Sequence, residues 1–409
     1  MKKVILKRGR EESVLRFHPW VFSGAVAEVQ GNPAEGDVVA VCSCDGTLLA
    51  CGHWQIGSIA VRILSFDSDV LKPDFWVDMI SRALDVRKAA GLAVCGAEPK
   101  ACGSGGSVRT DCYRLVHGEG DNLPGLIVDC YGGVCVMQAH SAGMFRARKQ
   151  ISEALQAVFG DSLAAVYDKS SATAPFKAGL DLVDGYLYRR PDFNDDSRTV
   201  SENGHRFIVD WTSGQKTGFF LDQRENRALV ERYSRGRKVL NLFCYTGGFS
   251  VYALAGGAES VCSVDSSRKA MDLVGRNILL NGFDASRHNG LCCDAIDYLK
   301  SVREGEYDLM IVDPPAFAKH RGALRNALRA YQRLNAAAIS KVAHGGLVFT
   351  FSCSQVVDKE TFALTVFSAA AQTGRSVRIL DRLNQPADHA VNIYHPEGEY
   401  LKGLLLYVE

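Results

Sequence analysis

Two short segments in the second half of the chain carry residue types that can do chemistry. In Phe349-Thr350-Phe351-Ser352-Cys353-Ser354 an apolar run ends in a polar turn with a thiol at its centre. In Asp308-Leu309-Met310-Ile311-Val312-Asp313-Pro314-Pro315-Ala316-Phe317 a similar run ends in a carboxylate and two prolines, which stop a strand and stiffen the backbone beyond it. A thiolate is the best suited common side-chain nucleophile for addition to an unsaturated ring. Added to carbon 6 of a cytosine, it would make carbon 5, otherwise a poor nucleophile, able to take up a methyl group. Loss of the carbon-5 proton would then expel the sulfur. Asp313, facing the pyrimidine N3 and amino group, would stabilise charge developing on the ring, and Phe317 could stack on the base. The plainer readings are a strand-terminating turn at Asp313 and one more packed thiol at Cys353.

Upstream, Val239-Leu240-Asn241-Leu242-Phe243-Cys244-Tyr245-Thr246-Gly247-Gly248-Phe249-Ser250 reads as a strand, a glycine-containing turn and a helix start. In an open α/β sheet the crevice beyond the carboxyl end of the first strand is where ligands bind. The spacing Gly-x-Gly-x-x-Gly is absent, which argues for a ligand without phosphates rather than a dinucleotide. The next strand ends at Asp265, placed to hold ribose hydroxyls, and the third is followed by Asp294, placed to accept from an adenine amino group. Either carboxylate could instead be a helix N-cap.

What must position these residues is legible from residue 239 on. Strands are predicted at 239–243, 260–264, 289–293, 307–312, 346–351, 376–383 and 401–408, with helical stretches between most of them. This is a doubly wound, mainly parallel sheet whose last two strands can pair antiparallel, a pattern closer to methyltransferases than to dehydrogenases. Residues 1–72 read as a small β-barrel of short strands, with Asp45-Gly46 as a hairpin turn. Residues 73–190 mix helix and strand, with helical periodicity over 75–90 and 144–159 and two strands around Tyr131-Gly132-Gly133. A linker is expected near residues 67–73, and polar 191–201 opens the last domain, 191–409.

Composition narrows the class. With 409 residues, 47% hydrophobic and 23% charged, the chain reads as a soluble protein of two or three domains. Its apolar runs are too short to span a membrane and its N-terminus lacks a secretory pattern. Its 13 cysteines show neither Cys-x-x-Cys nor zinc spacing, so no metal site is expected and a reducing cytoplasm suits them. A net charge of +1 leaves nucleic-acid affinity to local patches. Lys2, Lys3, Lys7, Arg8 and Arg10 make one. The other runs from Pro314 to Val357, which has no acid but contains Lys319, Arg321, Arg325, Arg329, Arg333 and Lys341. The spacing of Arg321, Arg325, Arg329 and Arg333 places them on one helix face, at the mouth of the proposed site and suited to phosphate. A solvated helix face is the ordinary meaning of such charges.

Over nearly its whole length the chain resembles the bacterial 23S ribosomal RNA large-subunit methyltransferase I family, whose members make 5-methylcytosine. The resemblance is carried by His18-Pro19-Trp20-Val21-Phe22-Ser23, Tyr113 to Asp121, Gly218-Phe219-Phe220-Leu221-Asp222-Gln223-Arg224, the three segments quoted above, Asp388-His389, and Pro396-Glu397-Gly398-Glu399-Tyr400-Leu401-Lys402-Gly403. It implies an N-terminal PUA RNA-binding module, a central α+β domain and a Rossmann-like seven-stranded methyltransferase domain. It also implies S-adenosyl-L-methionine as cofactor, held by Phe220, Asp222 and Arg224 over its methionine part and by Asn241, Phe243, Tyr245, Thr246, Gly247, Asp265, Asp294 and Asp313. Cys353 matches the family's nucleophile. Where two-cysteine RNA cytosine methyltransferases carry a second cysteine, this chain has Pro315-Ala316-Phe317, so the motif does not name the group that takes the carbon-5 proton. The partner implied is ribosomal RNA, naked or partly assembled, touched by Phe317, Arg321, Arg325 and Arg329; the sequence leaves room for a homodimer. Rival readings are methylation of an exocyclic base amine, with Cys353 structural, and a non-catalytic RNA-binding assembly factor.

Overall fold

The computed structural model describes residues 2–67, 72–92, 110–175, 179–318 and 320–409. Most of the expected linker at 67–73, and Lys319, lie outside the described residues. The chain packs as two units: Met1–Ser201 with Val209–Leu221 and Ala387–Gly398, and Glu202–Ile208 with Asp222–Pro386 and Glu399–Glu409.

The first unit contains both regions expected over 1–190. Strands β1 (Lys2–Leu6), β2 (Trp20–Phe22), β3 (Val26–Gln30), β4 (Val38–Cys42), β5 (Leu48–Trp54) and β6 (Ile59–Ser65), with the single-turn helix α1 (Glu12–Leu15), form a sheet in the order β2-β6-β5-β4-β1-β3. Its pairs are antiparallel except β1 with β4. Alternation drives it: Val4 and Leu6, Val39 and Val41, and Val61 and Ile63 point into one apolar core, each at most 2% exposed. Helix α2 (Phe75–Ala89), β7 (Cys112–His117), β8 (Leu126–Tyr131), β9 (Val134–Ala139), α3 (Ala142–Phe159), β10 (Ala165–Asp168) and β11 (Gly185–Arg189) build a second sheet, β11-β10-β9-β8-β7, around a further core. A two-stranded ribbon, β12 (Ser197–Glu202) and β13 (His205–Asp210), follows.

The second unit takes Glu202–Ile208 of that ribbon and continues with α4 (Arg224–Tyr233). It then runs β14 (Lys238–Leu242), α5 (Gly248–Ala255), β15 (Ser260–Asp265), α6 (Arg268–Leu280), β16 (His288–Cys292), α7 (Ala295–Ser301), β17 (Leu309–Val312), α8 (Leu324–Lys341), β18 (Gly346–Ser352), α9 (Lys359–Thr373), β19 (Val377–Asn384) and β20 (Lys402–Val408). All seven predicted strands are present, in the order β16-β15-β14-β17-β18-β20-β19. The first five are parallel; β20 lies between β18 and β19 and pairs antiparallel with both. The near-continuous apolar runs of β14, β17 and β18 belong to strands covered on both faces, and their residues are buried throughout apart from Lys238 at the start.

Candidate active site

Parallel pairing aligns the carboxyl ends of five neighbouring strands. Leu242 is in register with Val312, and Val312 with Thr350. The turn after β14, Asp313 after β17 and Cys353 after β18 therefore leave the same edge on adjacent strands, about 4.8 Å apart per strand. On the other side of β14, Asp265 ends β15 and Asp294 follows β16. Every chemistry-bearing strand end read from the sequence falls on one rim.

The β14 turn is shaped by backbone. Phe243, Tyr245 and Gly247 all have positive φ, at 57°, 48° and 79°. A Cβ on Gly247 would meet Val274 Cγ1 at 3.0 Å. Asp265 ties the turn down: one carboxylate oxygen accepts from the Tyr245 N–H and the other from the Ser267 N–H, each at 2.9 Å. Thr246 is buried and its carbonyl accepts from Asn277. Asn241, on β14, is 1% exposed, and its amide donates to Ser250 Oγ on α5 at 2.9 Å, tying the strand to the helix that follows the turn. Asp294 is the N-cap of α7, with Oδ1 accepting from the Ile296 and Asp297 N–H groups.

The β17–β18 side is shaped by side chains. Asp313, half-buried, accepts from Gln223 Nε2 at 3.0 Å; Gln223 Oε1 accepts in turn from Asn226, which also donates to the Asn384 carbonyl. Cys353 is half-buried between two fully buried serines. Ser352 Oγ donates to the Tyr331 hydroxyl at 3.0 Å, and Ser354 Oγ donates to the Ala318 carbonyl at 2.6 Å. Burial pushes the Tyr331 phenol up; its bond with Ser352 pulls it down, and charge on Cys353 and Asp313 raises it. Phe317 packs on the Tyr331 ring with centroids 4.7 Å apart. Asp222 and Arg224 are buried and engaged: Tyr400 donates to Asp222 at 2.6 Å, and Arg224 pairs with Glu202 at 3.6 Å.

A family model described as S-adenosylmethionine-dependent methyltransferase matches residues 186–405, and a PUA-like domain model matches 4–66. Ribosomal RNA large subunit methyltransferase I of Aeromonas hydrophila is 38% identical over 408 residues, and that of Alteromonas mediterranea 39% over 407; 98% of each chain is covered in both comparisons. The chain belongs to the ribosomal RNA large subunit methyltransferase I family. Solved structures agree on the fold: a SAM-dependent methyltransferase candidate from Streptococcus mutans has a TM-score of 0.81, and a methyltransferase candidate complexed with SAH one of 0.82. Each is 23% identical, with full coverage of both chains.

The cofactor of this methyltransferase is therefore S-adenosylmethionine, and the rim fits it. The Gly247 cradle has no room for a side chain, the turn shows backbone where a phosphate-free ligand needs it, and Asp265 stands at the second strand end. Phe220 lies in the first unit, half-buried, with the Lys216 ammonium 4.6 Å from its ring centre. The arginine stripe needs one correction. Arg321 sits in a 3-10 turn (Arg321–Ala323) before α8, so the shared helix face holds only Arg325, Arg329 and Arg333. All four are exposed, opposite the buried Ala327, Tyr331 and Leu334. Sequence reasoning missed Gln223, Tyr331 and Lys402. Gln223 and Lys402 stood inside quoted segments, and Tyr331 lies on the helix predicted after Asp313.

Proposed function

We propose that this enzyme methylates carbon 5 of a cytosine in 23S ribosomal RNA, in the cytoplasm, through a covalent bond to Cys353. One observation carries the reading: a half-exposed thiol and a carboxylate leave adjacent parallel strands at the rim that also carries the cofactor turn. The relatives' names and the PUA-like module support an RNA substrate.

In this mechanism the Cys353 thiolate adds to carbon 6, and the electron pair of the 5,6 double bond moves onto carbon 5. Asp313, oriented by Gln223, acts as an acid: it gives a proton to N3 as the sulfur adds, which neutralises the charge on the ring, and it accepts from the exocyclic amino group. S-adenosylmethionine supplies an electrophilic methyl group for carbon 5. Loss of the carbon-5 proton to solvent restores the double bond and breaks the carbon–sulfur bond, returning the Cys353 thiolate, while N3 gives its proton back to Asp313. Phe317 offers a ring to the base, and Arg321, Arg325 and Arg329 offer charge to the backbone. A paired cytosine must flip out to reach the sulfur, which favours naked or partly assembled RNA.

Trapping tests the covalent step. With RNA carrying 5-fluorocytidine, the fluorine cannot leave as a proton does, so a stable adduct mapping to Cys353 is expected, and none with Cys353→Ala. Methylation without any adduct, on a nitrogen of the base, would assign the chain to the amine chemistry instead.

A further inference from the structure

Lys402 is a lysine with 5% exposure at the start of β20, directly across the sheet from Ser352, the residue before the nucleophile. Burying an ammonium is costly unless it is fully engaged. Its Nζ donates to the Ser354 carbonyl at 2.6 Å and to the Val357 carbonyl. Both acceptors belong to the turn that follows Cys353, so the ammonium is a knot inside the loop that carries the thiol. An ammonium has three N–H groups, and these two bonds leave one.

We propose, on the reading of Cys353 as nucleophile, that Lys402 is its positioning residue: the ammonium clamps the 352–357 turn and favours the thiolate form of Cys353. The proton leaves the thiol for solvent, and Lys402 keeps its own.

The charges around Lys402 fit this role. Burial pushes its pKa down to about 8; charge on Cys353 acts the other way, as do Asp358 and Glu399, while Lys359 adds to the lowering. Coupling between two sites is reciprocal, so a lysine stabilised by the thiolate stabilises the thiolate in turn. The sign follows. Lys402 is protonated below about 8 and supports the thiolate there; as pH rises through about 8 it loses its proton and the support goes with it. The assisted window therefore covers neutral pH, where an ordinary thiol is mostly protonated.

The test is the pH dependence of Cys353 alkylation by iodoacetamide, read by peptide mass spectrometry in the full-length chain. The wild-type midpoint is expected below the free-thiol value of about 8.5. Lys402→Gln, which can still donate to a carbonyl but carries no charge, should move it up by roughly one to two units, and Lys402→Arg should restore it. A Lys402→Gln protein that binds S-adenosylmethionine normally and keeps the wild-type midpoint overturns the proposal, as does a uniform fall in rate at every pH, which marks a purely mechanical clamp. Should Lys402→Gln fail to fold, a wild-type midpoint at or above about 8.5 overturns it equally. The 5-fluorocytidine trap keeps the two readings apart. A wild-type adduct with an unmoved midpoint removes only Lys402; no wild-type adduct removes the nucleophile, whatever the midpoint.

Discussion

The two halves of the seven-stranded sheet build their share of the rim by different means. On the β16-β15-β14 side the working surface is backbone: three positive φ values in five residues, a glycine with no room for a Cβ, and Asp265 holding the turn through N–H groups. On the β17-β18-β20 side it is a set of side chains held by other side chains: Asn226 to Gln223 to Asp313, Ser352 to Tyr331, and Lys402 under the Cys353 turn. On the proposed mechanism the difference follows from the tasks. A cofactor shared by many reactions needs a shape, whereas one particular bond change needs named atoms at fixed places.

Substitutions should separate the halves. The largest effect is expected from Cys353→Ala, which removes the proposed attacking atom: methyl transfer to RNA should fall by on the order of 10⁴-fold or more, with cofactor affinity unchanged in calorimetry. Retained methylation would end the covalent reading. Next comes Gln223→Leu. A hydrogen bond to a charged group is worth roughly 1.5–3 kcal/mol, so removing this bond to the half-buried Asp313 should cost about 10- to 100-fold in kcat. Cofactor affinity should change much less. An equal fall in both would mean that Asp313 serves the cofactor side more than the base.

Gly247→Ala probes the other half. A left-handed conformation costs a residue with a Cβ ~1–2 kcal/mol, and the added carbon would meet Val274 at 3.0 Å. Cofactor affinity should drop about tenfold or more, while 5-fluorocytidine-free alkylation of Cys353 stays at the wild-type rate. A variant with unchanged cofactor binding would show that the cradle is not where the ligand sits.

The same division explains what the sequence disclosed. The sheet and its rim were legible because each strand is an apolar run closed by a polar or glycine signal, and parallel topology puts all such closures on one edge. Strand β1 was not: Lys2 and Lys3 flank Val4-Ile5-Leu6, a run too short to weigh, yet β1 lies inside its sheet, between β4 and β3, with Val4 and Leu6 fully buried. Pairing partners far along the chain, rather than local propensity, decide such a strand. Gln223, Tyr331 and Lys402 were hidden for a related reason. Each acts on a residue 20 or more positions away: the register of β18 with β20 brings Lys402 to its turn, the packing of α8 brings Tyr331 to Ser352, and the placing of Gln223 ahead of α4 brings it to Asp313 at the end of β17. The four-residue arginine spacing had the opposite fault. It was real, but the chain enters α8 only at Leu324, which leaves Arg321 on a turn.

The smallest effect is expected at that stripe, and it sharpens the comparison by leaving both halves of the rim untouched. Arg325 and Arg329 are exposed one turn apart on α8, and neither has an ion-pair partner among the described residues. Changing both to Gln should weaken RNA binding several-fold at low salt. Each lost phosphate contact should also reduce the slope of log affinity against log salt by about 0.7–0.9. Turnover at saturating RNA should stay near wild type, because nothing at Cys353, Asp313 or Gly247 has moved. Arg333, a turn further along the same face, is the internal control: if RNA follows the helix away from the rim, Arg333→Gln adds a similar decrement. If it leaves the helix at the rim, Arg333→Gln is silent and Arg321→Gln, on the preceding turn, is not. A salt slope that none of these changes moves would place the RNA elsewhere and leave the stripe as a solvated helix face.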